Sequence, residues 1–323
     1  MPECLLHRFL FSGLPVRGAL VQLSRSWIEA MEIRAHSGSY PAGVRRLLGQ
    51  MTAAGFLMQS QLKFDGALLL QLSGDGPLGL AVAEVNSNCS FRTTATLGDL
   101  APDDAGLVEL ANVNGSGRLS ITLDPVDRAP GTLPYQGIVP LHDDDKVPLT
   151  EIADAIEHYM LQSEQLDTRL ILAANDDIAA GLLLQRMPAH GGNSDAVVID
   201  ETLIGQDEDF NRLSMLAATL TDTELLTLEA RDVLHRLFHQ EAISHFEPRP
   251  LRFACPCSAE RVGRMLISLG RNELDDILEE QSVIEVACDF CGEQYRFDRN
   301  AVDALLDSPE TSLANRSSED TLH

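Results

Sequence analysis

The spacing of apolar residues predicts how the chain begins. Residues 5–23 have the pattern of extended chain, with Val16–Leu23 as the clearest strand. Apolar residues then recur every three or four positions, which predicts a helix capped by Ser26 and a second helix that starts near Pro41. An apolar stripe of this kind is typical of a helix packed in a core. In the second helix the stripe comprises Val44, Leu47, Leu48, Met51, Ala54 and Met58.

From residue 63 the pattern changes to that of strands. Residues 67–72 and 78–85 flank the turn Gly74-Asp75-Gly76-Pro77 and predict a hairpin. A helix capped by Thr150 is expected later in the segment. Sheets with a few segregated helices predict an α+β core domain over residues 1–190. The remaining strands are expected at 90–96, 118–123, 136–141, 168–173 and 178–187.

The composition changes at residues 188–194, which are rich in glycine and polar residues. Between residues 200 and 247 the chain has eleven Asp or Glu and three Arg, yet it keeps a helical apolar period. Residues 191–254 are therefore predicted to form an acidic amphipathic helical linker. In the simplest interpretation its helices pack on the core domain, and in the alternative they are held there only conditionally.

Two apolar stripes support the prediction of helices in this linker. The first comprises Phe210, Leu213, Leu216 and Leu220, and the second comprises Val233, Leu234, Leu237 and Phe238. Between them, Thr221-Asp222-Thr223-Glu224 has the form of a capping box. The first stripe is the candidate latch that holds the linker against the core.

Four cysteines near the end of the chain form two close pairs, Cys255 with Cys257 and Cys288 with Cys291, separated by thirty residues. Four thiolates are the donor set of a tetrahedral structural Zn²⁺. Between the pairs, the pattern predicts a helix capped by Ser258, a second helix over 273–280 and a strand. This segment has few large apolar side chains, and a domain with so small a core needs a metal to fold. Residues 255–297 are thus predicted to bind one zinc ion, and residues 298–323 to form a disordered tail.

A closed four-cysteine site has two interpretations. It can be a structural staple in a zinc-ribbon adaptor protein, or it can be a redox switch, because each close pair can form a readily reduced disulfide. A disulfide oxidoreductase that uses Cys288 and Cys291 is disfavoured, since a strand rather than a helix N-terminus adjoins the pair. Cys4 and Cys89 are expected to be inert thiols. The i, i+4 pair His235 and His239 is expected to have a surface or packing role rather than to bind a metal.

The cysteine pattern resembles that of the redox-regulated 33 kDa heat-shock chaperones, the 33 kDa chaperonins. Shorter segments resemble the same family along almost the whole chain: His7-Arg8-Phe9, Val16-Arg17-Gly18, Leu62-Lys63-Phe64-Asp65-Gly66, Gly74-Asp75-Gly76-Pro77, Tyr135-Gln136-Gly137, Gln162-Ser163-Glu164-Gln165 and Glu224-Leu225-Leu226. The resemblance implies a cytoplasmic, ATP-independent holdase that binds unfolding client proteins. It further implies that oxidation joins Cys255 to Cys257 and Cys288 to Cys291, releases zinc and activates the protein as a homodimer.

Composition argues against other classes of function. The formal net charge of −25 disfavours binding to nucleic acid, which depends on Lys and Arg. The two lysines, Lys63 and Lys146, lie outside any phosphate-binding loop, so an ATP-driven machine is disfavoured. Ser37 and Ser39 lack the frame of a hydrolase nucleophile, and no enzyme activity is expected. No apolar run is long enough to span a membrane, and no export leader is recognised.

Overall fold

The computed structural model describes residues 2–36, 38–98, 102–129, 131–187 and 208–306. The chain forms two compact units, Met1–Ala254 and a second that begins at Cys255. Mixed helices and sheets confirm the predicted α+β class. Within the described ranges, no helix has the length and hydropathy that a membrane span requires.

The first unit contains seven helices and twelve strands among its described residues. The helices are α1 (Arg25–Ala35), α2 (Ala42–Gln59), α3 (Leu107–Ala111), α4 (Ile152–Glu164), α5 (Glu208–Ala217), α6 (Asp222–Thr227) and α7 (Ala230–Phe238). The strands are β1 (Leu5–Phe11), β2 (Val16–Leu23), β3 (Gly66–Ser73), β4 (Leu78–Asn86), β5 (Ser90–Leu97), β6 (Arg118–Pro125), β7 (Tyr135–Pro140), β8 (Thr168–Ala174), β9 (Ala179–Arg186), β10 (Ile243–His245), β11 (Arg249–Pro250) and β12 (Arg252–Phe253).

These strands form two sheets. The first sheet has the order β10-β1-β2-β9-β8, and β11 also pairs with β1. The second has the order β12-β5-β4-β3-β6-β7, so β7 is an edge strand. Neighbouring strands are antiparallel except β12, which runs parallel to β5. The predicted hairpin is β3–β4, in which Leu68 pairs with Val85.

Helix α2 is the centre of the unit because it packs against both sheets. Fourteen of its eighteen residues are buried. Glycine allows this close approach: a Cβ at Gly49 would lie 2.6 Å from the Cβ of Ala174 in the first sheet. On another face of the helix, a Cβ at Gly55 would lie 3.1 Å from Val85 in the second. The apolar stripe predicted for this helix is therefore part of the main core.

The first sheet is covered on its other face by α5, α6 and α7. All eight residues of β9 are buried, which requires apolar neighbours on both sides of the strand. Alternate residues divide between the two sides: Leu183 belongs to the core around α2, whereas Leu182 and Leu184 belong to the core beneath α5–α7. Helices α5–α7 thus form an outer layer of the first unit.

Several predicted boundaries were wrong for local reasons. The residue that precedes α1 is Ser24, not Ser26, and its hydroxyl donates to the Pro2 carbonyl oxygen (2.8 Å) instead of capping the helix. Helix α4 follows Glu151 rather than the predicted cap Thr150. The prediction of a helical linker over 191–254 missed β10, β11 and β12, whose two or three residues are too short to show a strand period.

The second unit contains α8 (Ala259–Leu269), α9 (Arg271–Glu280), β13 (Val283–Ala287), β14 (Gln294–Asp298) and α10 (Arg299–Leu306). Helix α10 corrects the prediction of a disordered tail for residues 299–306. Its Val302 is 1% exposed and belongs to the small core of this unit, so apolar spacing outweighs the polar composition around it. The rest of the predicted tail, and residues 188–207 of the predicted boundary and linker, lie outside the described residues.

A buried ion pair closes one end of the first sheet. The Arg186 Nε atom donates to the Asp167 Oδ2 atom (2.7 Å), and both side chains are 6% exposed. The backbone N–H of Arg186 also donates to the Asp167 carbonyl oxygen (2.9 Å). Such a pair costs desolvation of both charges, and this cost is offset only while both partners are present.

We expect Asp167→Asn to lower the free energy of unfolding by roughly 3 to 5 kcal/mol, because it leaves the Arg186 guanidinium buried without its counter-charge. Urea denaturation followed by circular dichroism measures the loss. The double variant Asp167→Leu with Arg186→Met removes both charges and should lose much less stability. A single variant as stable as the parent protein would contradict the assignment.

Candidate metal centre

The second unit is built on a very small apolar core. Its fully buried members are Leu266, Leu274, Leu278, Ile284, Phe297 and Val302. Ser258 caps α8 by accepting the Arg261 N–H (3.2 Å), and Gly270 ends that helix with a φ of +87°. Met265 and Leu269 on the same helix are 48% and 50% exposed, so only part of its apolar stripe is buried. A core of this size leaves the unit dependent on a further stabilising interaction.

The four motif cysteines meet at one point of this unit. Their Sγ atoms all lie within 4.8 Å of one another. Two of the separations cross between the pairs: 3.6 Å from Cys255 to Cys288 and 3.3 Å from Cys257 to Cys291. Four sulfurs at about 2.3 Å from a tetrahedral Zn²⁺ are about 3.8 Å apart, so this donor set fits such an ion.

A tight turn positions the second cysteine pair. The Gly292 N–H donates to the Cys288 carbonyl oxygen (2.7 Å), and the Cys288 N–H donates to the Glu293 carbonyl oxygen (2.9 Å). Gly292 has a φ of +72°, a backbone conformation that favours glycine. The backbone N–H groups of Glu293 and Cys257 act to lower the pKa of the Cys291 and Cys255 thiols, respectively. Backbone donors of this kind stabilise thiolates that bind a metal.

The thiols do not ionise equally. Burial raises the pKa of Cys255 to about 11, and burial also raises the pKa of Cys291. Burial acts in the same direction on Cys257, but hydrogen bonds from the Tyr295 hydroxyl and neighbouring thiols outweigh it and lower the pKa of that group. Four thiolates this close repel one another, and a divalent cation removes that penalty. The site can therefore hold a metal ion and, through its thiols, undergo oxidation.

The other candidate ligands lie elsewhere. Cys4 and Cys89 belong to the first unit, where the Cys4 sulfur is 2.8 Å from the Ser26 hydroxyl and Cys89 is buried. Burial raises the pKa of the Cys89 thiol, as expected for an inert cysteine. His235 and His239 are exposed, with ring centres 6.1 Å apart. Within the described part of the chain, the four motif cysteines are the one group of potential ligands close enough to share an ion.

The four latch residues lie on the outer face of the first sheet. Phe210, Leu213 and Leu220 are 7%, 0% and 6% exposed, and Leu216 is half-buried against the same cluster. The capping box forms as predicted: the Thr221 hydroxyl accepts the Glu224 N–H (3.3 Å), and the Glu224 carboxylate accepts the Thr221 N–H (3.1 Å).

Sequence reasoning missed two polar side chains that act in these regions. Gln22 on β2 is 1% exposed and donates from its Nε2 atom to the carbonyl oxygens of Leu225 (3.1 Å) and Leu228 (2.8 Å). It therefore fastens α6 to the first sheet by two hydrogen bonds. The sequence signal for Gln22 was its position as the one polar residue in the apolar run Ala19–Leu23. Tyr295 on β14 is the second, and a hydrogen bond from its hydroxyl helps to lower the pKa of the Cys257 thiol.

Comparison with known proteins identifies a set of similar chains. The family model described as "Hsp33 protein" matches residues 5–298. The 33 kDa chaperonin of Chromobacterium violaceum is 43% identical over 303 residues, which cover 94% of this chain and 93% of that protein. The 33 kDa chaperonin of Neisseria meningitidis serogroup A is 40% identical over 309 residues, with coverage of 95% and 93%. The fold is shared with the crystal structure of the 33 kDa chaperonin from Thermotoga maritima, at 24% identity, a TM-score of 0.72 and coverage of 94% of this chain and 98% of that one.

We expect one zinc ion per reduced chain, bound by the four motif cysteines without help from Cys4, Cys89 or a histidine. The variant Cys4→Ser with Cys89→Ser should therefore keep its full zinc content by metal analysis. In contrast, Cys291→Ser should lose most of its zinc, because three thiolates do not complete the site. Zinc lost from the Cys4/Cys89 variant would show that the site is assigned to the wrong residues.

Proposed function

The chain belongs to the Hsp33 family of chaperones, and from this premise we propose that oxidation of Cys255, Cys257, Cys288 and Cys291 switches its chaperone activity on. The observation that carries the proposal is the approach of the four sulfurs to within 4.8 Å, in a unit with little other core. The protein is a chaperone and not an enzyme, as its relatives are. Clustered thiols are then best explained as sensors rather than catalysts.

In the reduced chain, the four thiolates hold a Zn²⁺ ion that supplies the second unit with stability its core lacks. A structural zinc site contributes on the order of 10 to 16 kcal/mol to a small domain. Burial of one large side chain contributes about 1.5 to 3 kcal/mol. The gain from the small core of this unit is largely offset by the entropy of ordering its chain, at about 1 to 2 kcal/mol for each residue. Removal of the ion is therefore expected to unfold this unit.

The oxidation step balances with a peroxide as the oxidant. Four thiolates lose four electrons to form two S–S bonds, and two molecules of hydrogen peroxide accept those electrons with four protons to give four molecules of water. The zinc ion leaves with its charge unchanged. We propose the pairing Cys255 with Cys257 and Cys288 with Cys291 from membership of the family, because sulfurs this close allow the cross pairs equally well. Short-loop disulfides are readily reduced again, so the switch is reversible.

Unfolding reaches the chaperone surface through the segment that precedes Cys255. This segment contains α5–α7 and ends in β12, and its helices cover an apolar face of the first sheet. Once the second unit unfolds, we propose that the helices detach and expose both the sheet face and their own stripes. Exposed apolar surface of this kind binds unfolding proteins without ATP. This surface would be the client site, and the high negative charge keeps the protein soluble while it is exposed.

Family membership also supports three further proposals. The active form is a homodimer, the protein acts in the cytoplasm, and its partners are unfolded or partly folded proteins rather than nucleic acid or membrane. The charge of −25 supports the exclusion of nucleic acid.

The deciding experiment is light scattering from a chemically denatured client protein without ATP. We expect zinc-loaded, reduced protein to leave aggregation unchanged and peroxide-oxidised protein to suppress it. Dithiothreitol with added zinc should restore the inactive form and serves as the control. Equal suppression by the reduced and oxidised forms would contradict the switch and favour zinc as a structural staple.

We further expect Leu213→Glu to open the latch without oxidation. The substitution removes burial of a residue that is 0% exposed, a loss of roughly 1.5 to 3 kcal/mol, and adds the cost of desolvating a charge. Gln22→Leu should act in the same direction, because it removes two hydrogen bonds to the α6–α7 segment. Both variants should suppress client aggregation with four reduced thiols and bound zinc in the second unit, measured on one preparation.

Met215→Glu is the matched control for this prediction. Met215 lies on the same helix as Leu213 but is 67% exposed, so the substitution adds the same charge without removing burial. It should leave the protein inactive when reduced. If Leu213→Glu instead lowers global stability and yields an aggregating protein without holdase activity, the helices are ordinary core and not a latch.

A further inference from the structure

A cleft in the first unit, well apart from the latch face, has the construction of a small-molecule site. It lies where the two sheets converge on α4, and its volume is about 290 Å³. Most of its wall is apolar. The wall residues include Met58, Leu68, Ile121, Ile156, Met160 and Leu183. Leu62 and Tyr135 also line it and are 39% and 53% exposed, which places them at its rim.

One wall of the cleft carries a fixed cation. The Arg17 side chain on β2 is half-buried and donates from Nε (3.2 Å) and Nη2 (2.5 Å) to the Gln185 Oε1 atom. Its Nη1 atom donates to the Gln61 carbonyl oxygen (3.4 Å). All of these acceptors are neutral, and no ion pair of Arg17 occurs among the residues that the structure describes. Burial lowers the pKa of this arginine, as it does for a charge without a counter-charge.

The orientation of this cation is set by a chain of hydrogen bonds. Gln185 is 1% exposed and donates from Nε2 to the Thr168 hydroxyl oxygen (3.0 Å), and Thr168 donates to the Leu166 carbonyl oxygen (3.2 Å). The Gln185 amide therefore has to present its oxygen to Arg17. A guanidinium has five N–H groups, and three are used, so one remains on each terminal nitrogen. Two N–H groups match the two oxygens of a carboxylate.

A carboxylate already present in the cleft is occupied by other donors. The Glu164 Oε1 atom accepts hydrogen bonds from the hydroxyls of Tyr159 (2.7 Å) and Tyr135 (3.0 Å). Tyr159 is 4% exposed, and burial is the first cause of a strongly raised pKa, so it remains a neutral donor. Glu164 is thus held by two phenols and forms no ion pair with Arg17 within the described ranges.

We propose that this cleft binds a small apolar carboxylate, such as a medium-chain fatty acid, with its head group on Arg17 and its chain along the apolar wall. Ligand pockets span about 300 to 1,000 Å³, so this cleft, at about 290 Å³, suits a small ligand. Octanoate, with ten non-hydrogen atoms, is of this size. Binding of a carboxylate in this cleft is a function separate from the redox switch and does not depend on it.

The test is calorimetric titration of the zinc-loaded, reduced full chain with octanoate and with 1-octanol, which has the same chain without the charge. We expect one site for octanoate with a dissociation constant on the order of 0.1 mM, and binding of octanol at least about tenfold weaker. Arg17→Gln should weaken octanoate about tenfold or more and leave octanol unchanged. Met160→Trp, which fills the cleft from α4, should abolish the binding of both.

Arg45→Gln is the matched control. Arg45 lies in the same unit and its side chain is 23% exposed, but it forms an ion pair with Asp176 (2.7 Å) and does not line the cleft. It should bind octanoate as the parent protein does. Three results would each overturn the proposal: the parent protein does not bind octanoate, it binds octanoate and octanol with equal affinity, or Arg17→Gln binds octanoate as tightly as the parent protein. If Arg17→Gln does not fold by circular dichroism, the octanoate–octanol comparison and Met160→Trp decide it.

Discussion

The first sheet has two apolar faces, and the architecture of the larger unit follows from the need to cover both. On one side α2 provides a permanent cover, since it also packs against the second sheet and cannot leave without dismantling the core. On the other side α5–α7 have no second partner layer among the described residues. The two covers therefore differ in how strongly they are held, although the surfaces beneath them are alike. In the proposed switch, α5–α7 are the layer that detaches, and the sheet held by α2 stays folded while its outer apolar face is exposed.

The candidate metal centre lies in a unit whose apolar core is small. With six buried apolar side chains in the core of its described residues, the second unit has little apolar area with which to offset the entropy of ordering its chain. In the proposed switch, coordination of a zinc ion by the four thiolates supplies that stability through the groups that react most readily with oxidants. In that switch, the four sulfur atoms on which folding of the unit depends are therefore also the atoms that an oxidant attacks. This coincidence distinguishes the site from a metal staple in a domain with a full core.

Elements with a regular apolar period were predictable from sequence. The hairpin β3–β4, the stripe of α2 and the cysteine cluster depend on local spacing, and each appears where that spacing places it. Features that depend on distant partners were not predictable. The strand β12 exists only because β5 provides its hydrogen bonds, and Gln22 is a fastener only because α6 ends beside it. The latch role of the first stripe and the disulfide pairing remain predictions.

The strands β10, β11 and β12 give the connection between the latch and the metal centre a strict order. Ala254, immediately before the first thiol, donates its N–H to the Phe91 carbonyl oxygen (3.0 Å), so not one residue of slack separates the second sheet from Cys255. A disturbance that travels back from the thiols must release β12 from β5, then β11 and β10 from β1, before it reaches α7. In the proposed switch, these short pairings are released one after another. Loosening of the metal unit that stops at the first of them would leave the helices in place, so that sustained unfolding, and not a brief fluctuation, would reach the latch.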